Sequence, residues 1–243
     1  MQVEVNQNIK PYGKKYCLYR KYFKRLMDFI LSLISIISLS PVMLIVALLV
    51  RVKLGSAVIF KQKRPGLNEK IFTLYKFRTM TNEKDENGEL LPDEIRLTKF
   101  GKFLRRTSID ELPELFNILK GDMSIVGPRP QLIKDMIFMT QVQRKRHSVL
   151  PGLTGWAQIN GRNGITWDEK LTLDLEYIKN ISFLQDWKII LITVAKVLKK
   201  DGINSDGMET SEDLGDYLLR KNKISKLDYY TAIEELSNIK YNN

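Results

Sequence analysis

The stretch Phe29–Val50 reads FILSLISIISLSPVMLIVALLV, a run of 22 residues without a formally charged side chain. A helix of roughly 20 residues crosses a hydrocarbon core of about 30 Å, so the run is long enough to span a membrane. Pro41 lies near its middle, where proline removes a helical hydrogen bond and kinks or breaks a helix. The two halves, Phe29–Ser40 and Val42–Val50, would each cover about half of the bilayer at about 1.5 Å per residue.

Basic side chains flank this run on both sides. They are Lys14, Lys15, Arg20, Lys21, Lys24 and Arg25 before it, and Arg51, Lys53, Lys61, Lys63 and Arg64 after it. Basic residues are expected mainly on the cytoplasmic side of a spanning helix. Their presence on both sides favours a segment that enters the membrane and returns to the same face. A single spanning helix with a proline kink remains the alternative.

The charge of the chain is unevenly distributed. The net charge is +11, and residues 201–243 contain nine acidic and five basic residues, which leaves residues 1–200 with +15. A basic body of this kind suits anionic lipid headgroups, nucleotides or nucleic acid. The single cysteine, Cys17, excludes an internal disulfide and is typical of a reducing compartment. The apolar run is longer than the core of a cleavable signal peptide, so we expect none.

The remaining sequence predicts one α+β, helix-rich domain. Short strands are expected at Ala57–Phe60 and Ile71–Tyr75, around a turn at Arg64-Pro65-Gly66. The polar stretch Thr81–Pro92 predicts a loop, and a helix is expected from about Asp110 to Leu119, ending at Gly121.

Two later stretches have amphipathic patterns. Gln131–His147 has Arg144-Lys145-Arg146 near its end. Trp187–Lys200 contains the seven-residue run Ile189–Ala195, which is uncharged and apolar apart from Thr193 and is too short to span a membrane. Each is compatible with a helix at the membrane interface or with a helix that faces the core of a soluble domain. The acidic end of the chain predicts a tail with a short helix near Tyr229–Ile239.

Thr107–Pro113, with the sequence TSIDELP, contains the clearest local signal for chemistry. Ser108 and Glu111 match the spacing of a capping box, and Pro113 suits a first helical turn. Asp110 then lies at a helix start, where the helix dipole favours its ionised form. An oriented carboxylate can attack a phosphoryl group, and Glu111 can help to bind a divalent cation. Acidic residues in a first turn are, however, commonly only helix caps.

Basic residues near glycine-rich or proline-rich turns support an anionic substrate. They are Lys76, Arg78, Arg105, Arg106, Arg129 and Arg162. Gly127-Pro128-Arg129-Pro130 fixes one guanidinium on a rigid backbone, as bidentate phosphate recognition requires. The glycine-rich segment 155–164 resembles a nucleotide-contacting loop. Singly, each arginine is more often a solvated surface residue.

Several other kinds of site are not indicated. The chain has no P-loop and no dinucleotide-binding glycine motif, so neither ATP nor NAD is expected. With one histidine and one cysteine, a metal site is expected to use oxygen ligands, most simply for Mg²⁺. His147 lies beside a basic cluster and is expected at the surface or at an interface rather than in catalysis.

Four ordered segments resemble the bacterial sugar transferase family, specifically the small monotopic polyprenyl-phosphate phosphoglycosyl transferases. The segments are Lys76–Met80 (KFRTM), Arg105–Pro113 (RRTSIDELP), Gly121–Pro130 (GDMSIVGPRP) and Pro151–Gln158 (PGLTGWAQ). The resemblance covers about residues 24–200. These enzymes initiate the assembly of capsule, exopolysaccharide and glycoprotein glycans.

The resemblance implies a reaction and roles for particular residues. A sugar-1-phosphate moves from a UDP-sugar to undecaprenyl phosphate, UMP is released, and Asp110 carries a covalent phosphosugar intermediate. Asp110 and Glu111 are implied at a Mg²⁺ site. Lys76, Arg78, Arg105, Arg129 and Arg162 are expected to bind phosphate and nucleotide.

The resemblance also implies an architecture and a location. Ser40-Pro41 matches the break of a helix that re-enters one leaflet, on the cytoplasmic face of the bacterial plasma membrane. The expected organisation is a basic extension (1–24), a re-entrant membrane helix (25–53), a cytosolic catalytic domain with interfacial amphipathic helices (54–200) and an acidic tail (201–243). The partners implied are membrane lipids and downstream glycosyltransferases.

Two other classes of function remain to be considered. A membrane-tethered scaffold with a degenerate catalytic domain would release no UMP from any UDP-sugar. A membrane-anchored nucleic-acid binder would retain oligonucleotides in a salt-sensitive way. The sequence contains no nucleic-acid recognition motif, and we expect no nucleic-acid partner.

Overall fold

The computed structural model of the protein describes residues 18–161, 164–199 and 212–241. The described chain is rich in helix and has two small two-stranded sheets, which confirms the helix-rich α+β class. The helices are α1 Lys24–Leu54, α2 Asp93–Arg96, α3 Lys99–Arg106, α4 Glu114–Lys120, α5 Ile133–Ile137, α6 Gln141–Arg144, α7 Trp156–Asn160, α8 Trp167–Lys179, α9 Phe183–Lys199, α10 Leu214–Arg220 and α11 Lys226–Tyr241. The strands are β1 Ile59–Pro65, β2 Ile71–Phe77, β3 Ser124–Val126 and β4 Gly152–Thr154.

Helix α1 contains the whole apolar run and continues through Pro41. The interruption expected at Ser40-Pro41 is therefore not present in the backbone. Pro41 cannot donate to the carbonyl of Ile37, four residues earlier, but the hydroxyl of Ser40 donates to that oxygen at 2.8 Å. The serine thus replaces the hydrogen bond that the proline removes, which explains why the helix tolerates the proline. Re-entry into one leaflet stays a prediction.

One face of α1 contacts the rest of the domain along nearly its full length. At its beginning, Arg25 donates to the carbonyl of Leu119 at 2.8 Å, and Asp28 accepts from the backbone N–H of Ile125 at 3.0 Å. At its end, Val50 and Leu54 lie in a core cluster with β2 and α3. The contacting positions recur every three or four residues, as one face of a helix requires. Both ends of α1 are thus held against the same domain.

The opposite face of α1 is apolar and exposed. Its large exposed side chains include Phe29, Ile30, Ile34, Ile37, Leu44, Ile45 and Leu48. Tyr19–Leu54 is the single helical segment of the described chain that is long and apolar enough to cross a membrane, and 11% of its most apolar window is buried. An exposed apolar face of this size marks a surface that contacts lipid or protein. Such a face on a helix long enough to cross a membrane favours association with a membrane.

An antiparallel hairpin of β1 and β2 forms the centre of the domain. Its register runs from Ile59 opposite Phe77 to Pro65 opposite Ile71. The second predicted strand is confirmed, whereas the first begins later and includes Arg64 and Pro65. The turn therefore falls at residues 66–70 rather than at Arg64-Pro65-Gly66. Asn68 and Glu69 make it possible by adopting positive φ angles of 51° and 64°.

The two amphipathic stretches have different outcomes. Gln131–His147 does not form one helix, because α5, α6 and a 3₁₀ turn at Lys145–Ser148 divide it. The sequence left open one helix at the membrane interface or one helix that faces the core, and neither forms as a single helix. The end of the stretch is buried, with Arg146 2% exposed. The second stretch is confirmed as α9, with Lys200 outside the described residues. Helix α9 buries Asp186 and Ile189 and exposes Leu184 and Leu191.

The described part of the acidic segment packs on the domain. The predicted short helix near Tyr229–Ile239 corresponds to α11, and α10 was not predicted. Leu214 and Tyr217 of α10 share a buried cluster with Trp167 and Leu171 of α8. The carboxylate of Asp135 accepts from the backbone N–H of Leu214 at 3.0 Å. The domain boundaries themselves stay predictions.

Candidate active site

The segment Ser108–Pro113 presents the candidate carboxylates on a strained turn. Ser108 has φ 56°, and Ile109–Glu111 form one 3₁₀ turn before α4 begins at Glu114. The predicted capping box is not formed, because the Ser108 side chain makes no cap hydrogen bond and Glu111 binds cations instead. A left-handed serine costs of order 1–3 kcal/mol, and such strain is commonly found at functional sites.

Helix α4 is fixed to strand β2 by a buried asparagine. The side-chain amide of Asn117 donates to the carbonyl of Thr73 at 2.7 Å, and its oxygen accepts from the backbone N–H of Tyr75 at 3.1 Å. Gly121 ends the helix with φ 96°, as predicted. These bonds hold the carboxylates at the start of α4 opposite Lys76 near the end of β2.

Two cations neutralise the acidic neighbours of Asp110. The ammonium of Lys76 lies 2.8 Å from Glu111 and 3.2 Å from Glu114, and Arg129 pairs with Glu111. Burial acts to raise the pKa of Glu111, but Arg129 and Lys76 outweigh it and hold this pKa far below its usual range. Burial raises the pKa of Glu114, and the charge of Glu111 adds to this effect. The site therefore holds one strongly ionised carboxylate beside one that protonates readily.

Asp110 differs from both neighbours because its carboxylate has no hydrogen-bond or ion-pair partner within the described chain. Its side chain is nevertheless largely buried, with 7% exposure. Burial, followed by the charge of Glu111, raises the pKa of Asp110 to about 6, although Lys76, Arg129 and Arg105 act to lower it. An unpartnered carboxylate among cations is suited to nucleophilic attack on an anionic substrate.

The other predicted basic residues are placed differently. The Nε of Arg105 donates to the hydroxyl of Thr79 at 3.0 Å, which orients the guanidinium towards the end of β2. Arg78 is half-buried just beyond β2. Arg162 lies outside the described residues, so its role stays a prediction.

Close backbone packing positions Arg129. The N–H of Gly127 donates to the carbonyl of Thr154 at 2.9 Å, and the N–H of Gly152 donates to the carbonyl of Pro128 at 3.0 Å. A Cβ on Gly152 would lie 2.1 Å from the backbone nitrogen of Gly127. The pairing of β3 with β4 thus brings the segments GPRP and PGLTG into backbone contact. It places the Arg129 guanidinium on Glu111.

A buried ionic network lies behind this segment, and the sequence analysis did not identify it. Its members are Glu69, Arg144, Arg146, His147 and Asp174, and we call them the buried ionic network. Arg146 donates to Asp174 at 2.8 Å and to the carbonyl of Arg129 at 2.6 Å.

The expectation of a surface or interface position for His147 is corrected by its burial, at 4% exposure. Its Nδ1 lies 3.3 Å from Glu69, which also pairs with Arg144. Burial lowers the pKa of His147 to about 4, so the ring is neutral near pH 7 and donates to Glu69. In the sequence, His147 follows a basic cluster, and such a cluster is usually exposed to solvent. Only the fold reveals their buried acidic partners.

Glu114 and Thr79 are further site residues that the sequence analysis did not single out. Thr79 lies within the recognised segment KFRTM, whereas Glu114 lies four residues after Asp110 and directly follows the segment Arg105–Pro113. The helical spacing of Asp110 and Glu114 was the available signal for Glu114.

Comparison with known proteins identifies the family of this chain. Residues 19–200 match the family described as bacterial sugar transferase. The chain is 53% identical to the sugar transferase EpsL of Bacillus subtilis over 189 residues, which cover 78% of this chain and 94% of that protein.

Larger relatives carry names that state a reaction. One is the UDP-glucose:undecaprenyl-phosphate glucose-1-phosphate transferase of Klebsiella pneumoniae, 43% identical over 72% of this chain and 40% of that protein. Another is the UDP-N-acetylgalactosamine-undecaprenyl-phosphate N-acetylgalactosaminephosphotransferase of Aeromonas hydrophila, 37% identical over 73% of this chain and 44% of that protein. The chain thus spans less than half of these two relatives. Together with the family match, these similarities show that the chain belongs to the bacterial sugar transferase family.

Proposed function

We propose that this protein transfers a sugar-1-phosphate from a UDP-sugar to undecaprenyl phosphate and releases UMP. The observation that carries the proposal is the carboxylate of Asp110, which is largely buried, has no partner in the described chain and lies among Lys76, Arg105 and Arg129. The named reactions of the relatives support the same substrate classes.

In the first step, a carboxylate oxygen of Asp110 attacks the phosphorus next to the sugar. A bond forms between Asp110 and this phosphorus, and the bond from the phosphorus to the bridging oxygen breaks. UMP leaves with the electron pair, and the sugar-phosphate remains on Asp110. Lys76, Arg105 and Arg129 stabilise the negative charge that develops on the phosphate oxygens.

In the second step, an oxygen of undecaprenyl phosphate attacks the same phosphorus. The bond to Asp110 breaks, its carboxylate is restored, and the sugar becomes attached to the lipid through a diphosphate. Glu114, whose pKa is raised by burial, is placed to accept or return a proton near this step. A covalent intermediate lets the two substrates use one site in turn.

Asp110 and Glu111 would hold a Mg²⁺ ion. In the described chain, no group of three or more histidine, cysteine, aspartate or glutamate side chains has the arrangement of a metal site. Two carboxylates can hold Mg²⁺, which usually takes one or two and completes its shell with water and substrate phosphate. When bound, the ion would offset the charge of the diphosphate.

The location proposed is the cytoplasmic face of the bacterial plasma membrane, with α1 re-entering one leaflet. A helix held against one domain at both ends is difficult to reconcile with ends on opposite sides of a bilayer. Its exposed apolar face would contact lipid and keep the site near the headgroups, where the acceptor phosphate lies. The reaction is then the first membrane step of polysaccharide or glycoconjugate assembly. Its product passes to downstream glycosyltransferases.

The reaction is tested with the full chain in detergent, a panel of UDP-sugars and undecaprenyl phosphate. UMP release is expected with at least one UDP-sugar, and Asp110→Asn should abolish it. Asp85→Asn is the matched control, because Asp85 is exposed and only accepts loop hydrogen bonds that asparagine can also accept. Without acceptor, intact mass measurement should show a sugar-phosphate adduct that Asp110→Asn lacks. Substantial turnover by Asp110→Asn would refute its role as nucleophile.

Topology is tested separately by labelling cysteines on each side of α1. Tyr22→Cys and Ser56→Cys place thiols at exposed positions, in a chain in which Cys17 is replaced by serine. An impermeant reagent should label both from the cytoplasmic side. Labelling from opposite sides would show that α1 spans the membrane.

A further inference from the structure

Arg64 is a half-buried cation that has no acidic partner among the described residues. Its Nη2 donates to the side chain of Gln62 at 2.7 Å, and its Nη1 lies 3.3 Å from the carbonyl of Pro130. Its Nε is buried and has no acceptor among the described residues. The ion pairs of the site involve Lys76 and Arg129 instead. The guanidinium thus retains unused hydrogen-bonding capacity.

The position of Arg64 relates it to the candidate site. Arg64 lies opposite Phe72 and Phe60 lies opposite Lys76. Directly opposed residues share a face of an antiparallel pair, and side chains alternate along each strand. Arg64 therefore lies on the same face of the hairpin as Lys76. Its contact with Pro130 also places it next to the segment that carries Arg129.

The electrostatic surroundings of Arg64 are unfavourable without a further anion. Burial and then the charge of Arg129 lower the pKa of Arg64 to about 10. Asp135 and Glu114 act in the opposite direction, but neither pairs with it. Two neighbouring guanidinium groups, one of them half-buried and without an ion-pair partner in the described chain, destabilise the free protein. A phosphate bound between them would satisfy both, because guanidinium groups bind phosphate oxygens in a bidentate manner.

We propose that Arg64 and Arg129 form a subsite for a phosphoryl group other than the one that Asp110 attacks. The inference rests on the proposed function, which brings two such groups to the site. One is the nucleotide-side phosphate of the UDP-sugar, and the other is the phosphate of the lipid acceptor. Both offer the same oxygen chemistry to Arg64.

The first arm of the test measures UMP binding to the full chain in detergent by calorimetry. Arg64→Met should raise the dissociation constant of UMP at least tenfold, and Arg64→Lys should fall between it and the parent chain, because lysine keeps the charge but loses the planar fork. The matched control is Lys63→Met. Lys63 is the exposed neighbour on the opposite face of the strand, and its replacement should leave the constant unchanged.

The second arm measures acceptor use. The reaction starts from the preformed sugar-phosphate adduct, and polyprenyl phosphate is varied. If Arg64 binds the acceptor phosphate, Arg64→Met raises the KM for polyprenyl phosphate at least tenfold and leaves UMP binding unchanged. A change in either arm supports the subsite and identifies its phosphate. Parent-like values in both arms would overturn the proposal.

Thermal unfolding separates binding from a structural role. Without ligand, Arg64→Met should unfold at or above the midpoint of the parent chain, because an unpaired buried charge is removed. A lower midpoint with parent-like UMP and acceptor binding would show that Arg64 only supports the fold. If the parent chain releases no UMP from any UDP-sugar but binds UMP through Arg64, the proposed reaction is refuted and the proposed phosphate subsite is supported.

Discussion

The candidate site and the buried ionic network are in contact through Arg146 and Arg129, and they differ in whether their buried carboxylates are paired. In the network, Asp174 is 2% exposed and is bonded to Arg146 through two nitrogens. In the site, Asp110 is 7% exposed and has no partner in the described chain. Arg64 likewise has no acidic partner within the part of the chain that the structure describes. The paired charges of the network stabilise the fold behind the site, whereas the charges without partners lie where a substrate is expected to bind.

The strongest test of this difference makes the same substitution in both regions. Asp110→Asn should lower UMP release by about a thousandfold or more, because the nucleophile is lost. It should leave the unfolding midpoint unchanged or higher, because a buried carboxylate without a partner in the described chain is neutralised. Asp174→Asn should lower the free energy of unfolding by about 3–5 kcal/mol, because it leaves Arg146 buried without its counterion. Turnover assays and denaturant unfolding measure the two effects. The reverse pattern would contradict the assignment of both regions.

The pH dependence of activity should reflect the titration of the candidate site and not that of the buried ionic network. Two members of the network keep their charge state at pH 5–8. Burial acts to raise the pKa of Glu69, but hydrogen bonds from His147 and Arg144 outweigh it and lower this pKa to about 2, and His147 stays neutral. Asp110 must be ionised to attack, and its pKa is raised to about 6. The kcat/KM for the UDP-sugar should therefore fall about tenfold per pH unit below this value. A profile that stays flat to pH 4.5 would argue against Asp110 as the titrating group.

A double replacement separates packing from positioning within the network. Arg146→Met combined with Asp174→Leu removes both charges, so most of the stability lost in Asp174→Asn should return. The carbonyl of Arg129 still loses its donor, and we expect kcat to fall about tenfold, the equivalent of one hydrogen bond to a charged group. Steady-state kinetics measures the change in kcat, and denaturant unfolding measures the recovered stability. Full activity in the double variant would show that Arg146 does not position Arg129.

The smallest expected effect lies in α1. Ser40→Ala removes the donor to the carbonyl of Ile37 and should lower stability in detergent by about 1 kcal/mol. Ser38→Ala is the control, since Ser38 is an exposed serine in the same helix. Equal midpoints for the two variants would mean that the exposed carbonyl finds another partner.

Local pattern predicted much of the fold and only part of the site. The helix ending at Gly121, strand β2 and helix α9 follow from periodicity and from end signals that act within a few residues. The break at Ser40-Pro41 was overestimated, because one serine hydroxyl compensates for the proline. The members of the site that lie in DELP and GPRP were indicated by local sequence signals, and resemblance to a family then implied their roles.

The remaining parts depend on contacts that are distant in sequence. The role of Arg146 depends on its bonds to Asp174, 28 residues later, and to the carbonyl of Arg129, 17 residues earlier. Arg64 looks like a flanking charge until the register of the hairpin places it on the face of Lys76. Burial of charge is a property of the assembled chain, and composition does not reveal it.

The contact of α1 with the domain at both ends has a consequence for how the protein can be handled. Val46, Val50 and Leu54 belong to the same cluster as Phe77 and Leu104. A protease that cuts at Gly55 would therefore separate two halves of one hydrophobic core instead of releasing a soluble enzyme. The fragment that starts after the cut would expose the apolar surface left by the helix and would aggregate. The anchor is thus a structural part of the domain, and an active form is expected to require the helix and its detergent or lipid.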